Sequence, residues 1–488
     1  MNILIGSSEV QPYSKTGGLA DMVAALGKYL GIAGARVGVV TPLYRGLLEE
    51  YDDIRRTGRV VDVVLGERHE KGAIYECEPS ANLAIYFVEH VHFFQRRGIY
   101  GEHSADYADN AERFLFLSKV LLNLPQHLPW RPDIVHVHDW PVAIFPALLR
   151  HEFGKGTYPS PPRTLCTIHN LAYQGLFPAT QLPLTNLPLD YFTPTGLEYY
   201  GKMNFLKAGI AYADHVSTVS PSYAEEILTA EFGCGLEGIL GERRDQLTGI
   251  LNGVDYAEWN TTDNPHLESA YTADRISGKT REKKRLQRDL GLSVDAKTPL
   301  FGIISRLVEQ KGIALLAEAL QQSLRHPMQF VLLGSGNPDL KVMIQEVARR
   351  FPDQVRVKIG YDPGLAHRIE AACDFYLMPS RFEPCGLNQL YSLRYGTIPV
   401  VHAAGGLRDS VADESEGADE ATGIKFTEFT SAAVLEAIYR ALSIFKKPEL
   451  LHAYQKRGMA RDFSWERTAE AYLDFYRRIL GGDGADSV

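Results

Sequence analysis

The sequence predicts an α/β protein made of two Rossmann-like domains, and three observations carry that reading. Short apolar, β-branched runs recur between longer helical patterns in the first half: Ile3 to Ile5, Val37 to Val40, Ile134 to Val137, Thr164 to Ile168 and His215 to Val219. The second half repeats the alternation with Leu300 to Ser305, Phe330 to Leu333, Val355 to Ile359, Phe375 to Met378 and Ile398 to Val401. Runs of this kind are parallel strands whose two faces are both covered by helices. Finally, 488 residues at 45% apolar content exceed what one ordinary domain holds.

Between the two sets, Leu251-Asn-Gly-Val-Asp255 closes a strand-like run, and a polar stretch from Asn260 to Lys284 follows without a strand period. The expected boundaries are therefore 1–252 and 253–462, with a hinge near Gly253 to Trp259. From Phe463 to Leu480, apolar residues recur at helical spacing (Ala469, Tyr472, Leu473, Phe475, Tyr476, Ile479). The segment 463–488 is expected to form a helix that packs back on the N-terminal domain and ends in a frayed Gly/Asp-rich tail.

Composition narrows the function. A net charge of −9 argues against a general nucleic-acid or membrane-surface binder, because both partners are polyanionic. Any anionic ligand must therefore meet a local cluster of cations. Five cysteines (Cys77, Cys166, Cys234, Cys373, Cys385) show neither CxxC spacing nor an even count, which suits a reduced interior. The chain opens directly on the strand-like Asn2-Ile-Leu-Ile-Gly6, and no apolar run reaches membrane-spanning length. A soluble cytoplasmic protein is the expectation. No pattern speaks to oligomeric state.

The first strand leads into Gly6-Ser-Ser-Glu9-Val-Gln-Pro-Tyr-Ser-Lys15-Thr-Gly17-Gly18-Leu-Ala-Asp21, followed by a helical pattern from Met22 to Leu30. Glycines at a helix start let backbone N–H groups approach an anion, and the helix dipole favours negative charge there. Lys15 adds a point cation. A plain surface turn with a solvated lysine is the competing reading of these residues alone.

Lys15-Thr-Gly-Gly-Leu-Ala-Asp21 resembles the amino-terminal signature of bacterial glycogen synthases and plant starch synthases. Matching blocks follow in order: Asp106 to Phe114, His136-Val-His-Asp-Trp140, Thr167 to Gly175, Leu251 to Asp255, Ser305 to Gly312 and Arg381 to Leu387. They span nearly the whole chain. The resemblance implies a glycosyltransferase-B fold with an interdomain active-site cleft. It also implies retaining transfer of glucose from ADP-glucose to the non-reducing end of an α-1,4-glucan.

In the second half, Arg306 follows a strand and Lys311 sits in the turn that opens the next helix. A guanidinium fork and a compact ammonium can together neutralise a diphosphate leaving group, so no metal is expected. The absence of an Asp-x-Asp pair agrees with that. Arg381-Phe-Glu383-Pro-Cys385-Gly386-Leu387-Asn388 leads into a helix expected to begin near Gly386, with the N–H groups of Gly386, Leu387 and Asn388 facing an anion. Cys385 is expected to pack beside the pocket rather than react. Where Asn388 stands many members have threonine, which leaves one phosphate contact open although the asparagine amide can donate. Tyr391 is usual in the synthase group.

The resemblance assigns the remaining residues. Glu383 positions the donor sugar, Asp139 lies near the reacting bond on the acceptor side, and His169 and Asn170 face the donor glucose. Asn252 joins the donor site, Gly360 and Tyr361 lie near the adenine or ribose, and Glu9 and Tyr100 either face the glucan or fill a plain core or surface role. Two histidines in His136-Val-His138 without a third ligand are weak evidence for metal, and Gly233-Cys-Gly-Leu-Glu-Gly238 mimics a dinucleotide loop without a strand before it. The acidic run Asp413 to Glu420 reads as a solvated loop. Other readings stay open: a UDP-glucose enzyme or another transferase of this fold, a nucleotide-sugar epimerase, and a silent glycogen-binding protein.

Overall fold

The computed structural model describes residues 1–102, 105–155 and 160–481. The chain divides into two units, Met1–Gly253 with the chain from Trp465 onward, and Val254–Ser464. The two crossings run side by side, since the Val254 N–H donates to the Phe463 carbonyl at 2.7 Å. The tail from 482 lies outside the described residues.

Among the described residues the first unit holds a nine-stranded sheet. Its strands are β1 (Asn2–Gly6), β2 (Arg36–Pro42), β3 (Arg55–Leu65), β4 (Arg68–Ser80), β5 (Leu83–Glu89), β6 (Ile134–His138), β7 (Arg163–Ile168), β8 (His215–Thr218) and β9 (Leu247–Gly249). Their spatial order is β9-β8-β7-β6-β1-β2-β5-β4-β3. The pairs from β9 to β5 are parallel, and β3 and β4 add an antiparallel ribbon. The sheet is thus mixed, which the apolar runs did not announce. The helix Trp465–Gly481 places Tyr472, Phe475, Tyr476 and Ile479 in this unit's core.

The second unit holds a six-stranded parallel sheet among the described residues: β10 (Leu300–Leu307), β11 (Gln329–Gly336), β12 (Val355–Ile359), β13 (Phe375–Met378), β14 (Ile398–His402) and β15 (Ile424–Phe426), in the order β12-β11-β10-β13-β14-β15. The polar stretch after the boundary contains a helix, Ser277–Asp289, whose Lys283 forms a buried ion pair with Asp374 at 2.6 Å. The acidic run is mostly exposed, as expected of a solvated loop, except at its first residue: Asp413 is buried and paired with Arg440 at 2.7 Å. It also accepts the Lys425 N–H at 2.8 Å, and these contacts overcome burial to hold its carboxyl below the usual range.

In each sheet the chain turns opposite ways from two adjacent parallel strands, β1 and β6 in the first and β10 and β13 in the second. Loops leaving the carboxyl ends at such a switch point diverge and leave a crevice. The chemically notable residues of both units sit there.

Candidate active site

In the first unit, the loop after β1 folds around Glu9. Its carboxylate accepts the Thr16 backbone N–H, the Thr16 hydroxyl at 2.7 Å, the Gly17 N–H at 3.4 Å and the Tyr100 hydroxyl at 2.6 Å. Tyr100 also meets the Ser8 hydroxyl at 2.8 Å. The anion that these loop amides meet is therefore Glu9 itself, which is buried and turned into the loop. Lys15 is partly exposed and pairs with Asp21 at 2.6 Å. Gly17 caps the helix Gly18–Ile32 with an extended backbone and open space where a Cβ would stand.

Asp139 directly follows β6 in the left-handed region, φ 57°, an uncommon state for a residue with a side chain. Its carboxylate accepts the His169 N–H at 2.7 Å and is also bonded by the Asn170 N–H. Burial pushes its pKa up to about 7; the two backbone bonds oppose that rise and the nearby Glu9 adds to it. His169, at the end of β7, meets His138 Nδ1 through its Nε2 at 2.9 Å, and burial pushes its pKa down to about 3. The ring is neutral at ordinary pH. Asn170 turns its Oδ1 back on the Ala172 N–H at 3.1 Å. Asn252 is buried, and its Oδ1 lacks a hydrogen-bond partner among the described residues.

In the second unit, Lys311 and Glu383 form an ion pair at 2.5 Å, with 19% and 9% of their side-chain surfaces exposed. Glu383 also accepts the Ser380 hydroxyl at 2.9 Å, and Ser380's carbonyl meets His402 Nδ1 at 2.7 Å. The two loops can meet because Gly312, φ 65°, has no Cβ; one would lie 1.9 Å from the Pro379 carbonyl oxygen. The contact is sewn by the Arg381 N–H to the Gln310 carbonyl at 2.8 Å and the Gln310 amide to the Phe382 carbonyl at 3.0 Å. Arg306 is exposed near the end of β10, and its guanidinium makes no hydrogen bond or ion pair among the described residues. Gly360 and Tyr361 follow β12, with Tyr361 81% exposed.

Two expectations about the Glu383 loop are corrected. The helix begins at Asn388, not near Gly386, because Gly386 sits at φ 69° and Leu387 is the cap. The Asn388 side-chain amide is spent inward on the Ile304 carbonyl at 2.8 Å and the Tyr376 hydroxyl at 2.5 Å. Of its donors, only the backbone N–H remains for a phosphate. Cys385 is buried.

Several contributors escaped the sequence reading: Ser8, Thr16, Tyr376, Ser380 and the pair Gly405-Gly406, while His138 was weighed there only as a weak metal ligand. A Cβ on Gly405 would lie 2.1 Å from the Glu383 carbonyl oxygen, and one on Gly406 2.0 Å from that of Cys385. Paired glycines opening a helix just beyond a strand, as here after Ile398–His402, are a readable sign of such backbone contact. Among the described residues, no group of three or more His, Cys, Asp or Glu side chains is arranged to hold a metal ion. No helix there is long and apolar enough to cross a membrane.

A starch synthase catalytic domain model matches residues 2–242, and a glycosyl transferases group 1 model matches residues 289–458. A glycogen synthase from Anaeromyxobacter sp. is 47% identical, covering 98% of this chain and 99% of that protein. The chain belongs to the glycogen and starch synthase family. It is accordingly a glycosyltransferase of the glycosyltransferase-B fold. A glycogen synthase from Syntrophotalea carbinolica is 41% identical over 98% of this chain and 99% of its own length. Among solved structures, the catalytic domain of starch synthase IV from Arabidopsis thaliana, bound to ADP and acarbose, is similar at TM-score 0.89 and 34% identity, covering 98% of this chain and 99% of that one. A sucrose-phosphate synthase from Thermosynechococcus elongatus, 18% identical with TM-score 0.63 over 99% of this chain and all of that one, shares the fold.

Proposed function

We propose that this family member transfers glucose, with retention, from ADP-glucose to the non-reducing end of an α-1,4-glucan in the cytoplasm, without a metal. The observation that carries this reading is the second unit's switch point, where exposed Arg306 and the Lys311–Glu383 ion pair occupy the strand ends. Two cations there neutralise a departing diphosphate, and the backbone N–H groups at Gly386, Leu387 and Asn388 add dipoles. Buried Glu383 is held by Lys311 and Ser380, which suits it to positioning the donor sugar rather than to covalent attack.

On this reading the bond from the anomeric carbon to the diphosphate breaks first, and the leaving group takes the electron pair. The acceptor oxygen bonds to the same face of that carbon, and its proton passes to a phosphate oxygen. Asp139 stabilises positive charge at the anomeric carbon once ionised, and His169 and Asn170 contact the sugar. Lys15, Gly17, Gly18 and Asn252 contribute to the donor site, Gly360 and Tyr361 to the nucleoside, and Glu9 and Tyr100 to the glucan side. That the Arabidopsis relative holds ADP and acarbose supports a nucleotide and a glucan as ligands.

The test is incubation with labelled ADP-glucose or UDP-glucose and glycogen, followed by linkage analysis. Glucan-dependent ADP release with α-1,4-linked label supports the reading. Faster turnover of UDP-glucose, or nucleotide release that ignores glucan, overturns it.

A further inference from the structure

Behind His169 lies a row of buried polar side chains that the proposed chemistry does not use. His136 and His138 point to one face of β6 and are fully buried, with ring centroids 4.0 Å apart. His136 is held at both nitrogens, Nδ1 to the Tyr476 hydroxyl at 2.8 Å and Nε2 to the Thr167 hydroxyl at 2.5 Å. Thr167 in turn meets the Ser217 hydroxyl at 2.6 Å. His138, wedged against that ring, is satisfied at one end only. Its Nδ1 meets His169 Nε2 at 2.9 Å, and its Nε2 is buried with no hydrogen-bond partner among the described residues.

That orphan nitrogen decides where the protons sit. Burial depresses all three imidazoles, so His138 and His169 are both neutral and their N···N bond contains one proton. Were His138 protonated at Nε2, a strong N–H donor would be sealed in protein without an acceptor; a bare lone pair there is the lesser cost. The proton therefore belongs on His138 Nδ1, which donates to His169 Nε2. His169 must then carry its own proton on Nδ1, the nitrogen that makes no hydrogen bond among the described residues.

We propose that His138 is a positioning residue that locks His169 into the tautomer whose Nδ1 presents an N–H donor to an oxygen of the transferred sugar. The ring itself is braced by His136, which the C-terminal helix holds through Tyr476. The tautomer follows from the protein alone; its use on a sugar rests on the transferase reading above.

Nitrogen chemical shifts of the whole protein labelled with ¹⁵N-histidine test it, with His138→Asn and His169→Asn assigning the signals. Expected at neutral pH are a protonated Nδ1 and a bare Nε2 on both rings. A proton on His169 Nε2, or a charged His169, overturns the proposal. Kinetics give a second reading. Asparagine carries its NH₂ where histidine has Nδ1, and glutamine carries it where histidine has Nε2. His138→Asn should therefore keep kcat within about tenfold of wild type, and His138→Gln should lose about a hundredfold at an unchanged melting temperature. Equal losses in the two variants refute the positioning role. Should the glutamine variant not fold, the nitrogen shifts of the unaltered protein still decide. A wild-type protein with the expected shifts but no glucan-dependent ADP release would sink the functional reading alone.

Discussion

Lys311 stands against a buried carboxylate, whereas Arg306 stands in solvent without a partner among the described residues, so removing each has a different physical cost. Arg306→Ala should lower kcat by about 10²–10³-fold, since it withdraws charge from the leaving group, and change stability by less than about 0.5 kcal/mol. Lys311→Ala should cost similar activity and also about 2–4 kcal/mol of stability, because Glu383 is left buried and unpaired. Combining it with Glu383→Gln should restore most of the stability and none of the activity; urea melts beside steady-state rates check this.

Asp139 gives a pH prediction. Its folded pKa of about 7 lies above its ordinary value of 3.8, so the native state binds the extra proton between those limits. Stability contributed by this group is complete below about pH 4 and is lost as pH rises through about 7. The wild-type stability curve should therefore fall more steeply, or rise less, across that window than the curve of Asp139→Asn. Parallel curves would refute the raised pKa. The charged residues of this site were legible because Lys, Arg and Glu beside glycines have few roles at strand ends. Ser380, Tyr376 and His138 were not, since each acts only through a neighbour distant in sequence.

At the scale of an element, the Lys311 turn and the Glu383 loop are one device joined by Gly312. Gly312→Ala places a methyl where the Pro379 carbonyl lies and forces a left-handed backbone on alanine. It should cost about 1–3 kcal/mol in stability and separate Lys311 from Glu383, with kcat falling about tenfold or more. An unchanged kcat would mean the contact is incidental to turnover. The buried parallel strands of both sheets were readable because both of their faces are apolar. The ribbon β3–β4 was not. Its exposed residues, Arg55, Arg56, Asp62, Arg68 and Lys71, interrupt the apolar positions, and the buried apolar side chains are only Val61, Val63 and Leu65 on β3 and Ile74 and Cys77 on β4. Asn388 shows the same limit in reverse, since a donor suited to phosphate on paper is consumed by Tyr376, which only the folded sheet brings near.

At the scale of the whole molecule, the two units are built differently along the chain. The second is continuous, Val254–Ser464, with its own sheet and core, whereas the first is completed by the helix that follows Trp465. That helix buries Trp465, Tyr472, Leu473, Phe475, Tyr476 and Ile479 in the first unit's core. At roughly 1.5–3 kcal/mol for each large side chain, their loss is comparable with the whole stability of an ordinary domain, about 5–15 kcal/mol. A fragment 254–464 should therefore fold alone, melt cooperatively and bind ADP by calorimetry, with binding weakened by Arg306→Ala. A fragment 1–253 should fail to fold, and a peptide covering 465–481 supplied in trans should recover part of its structure. The two results belong together: a well-folded 1–253 fragment would show that the C-terminal helix is dispensable, and with it the Tyr476 contact that braces the histidine row behind His169.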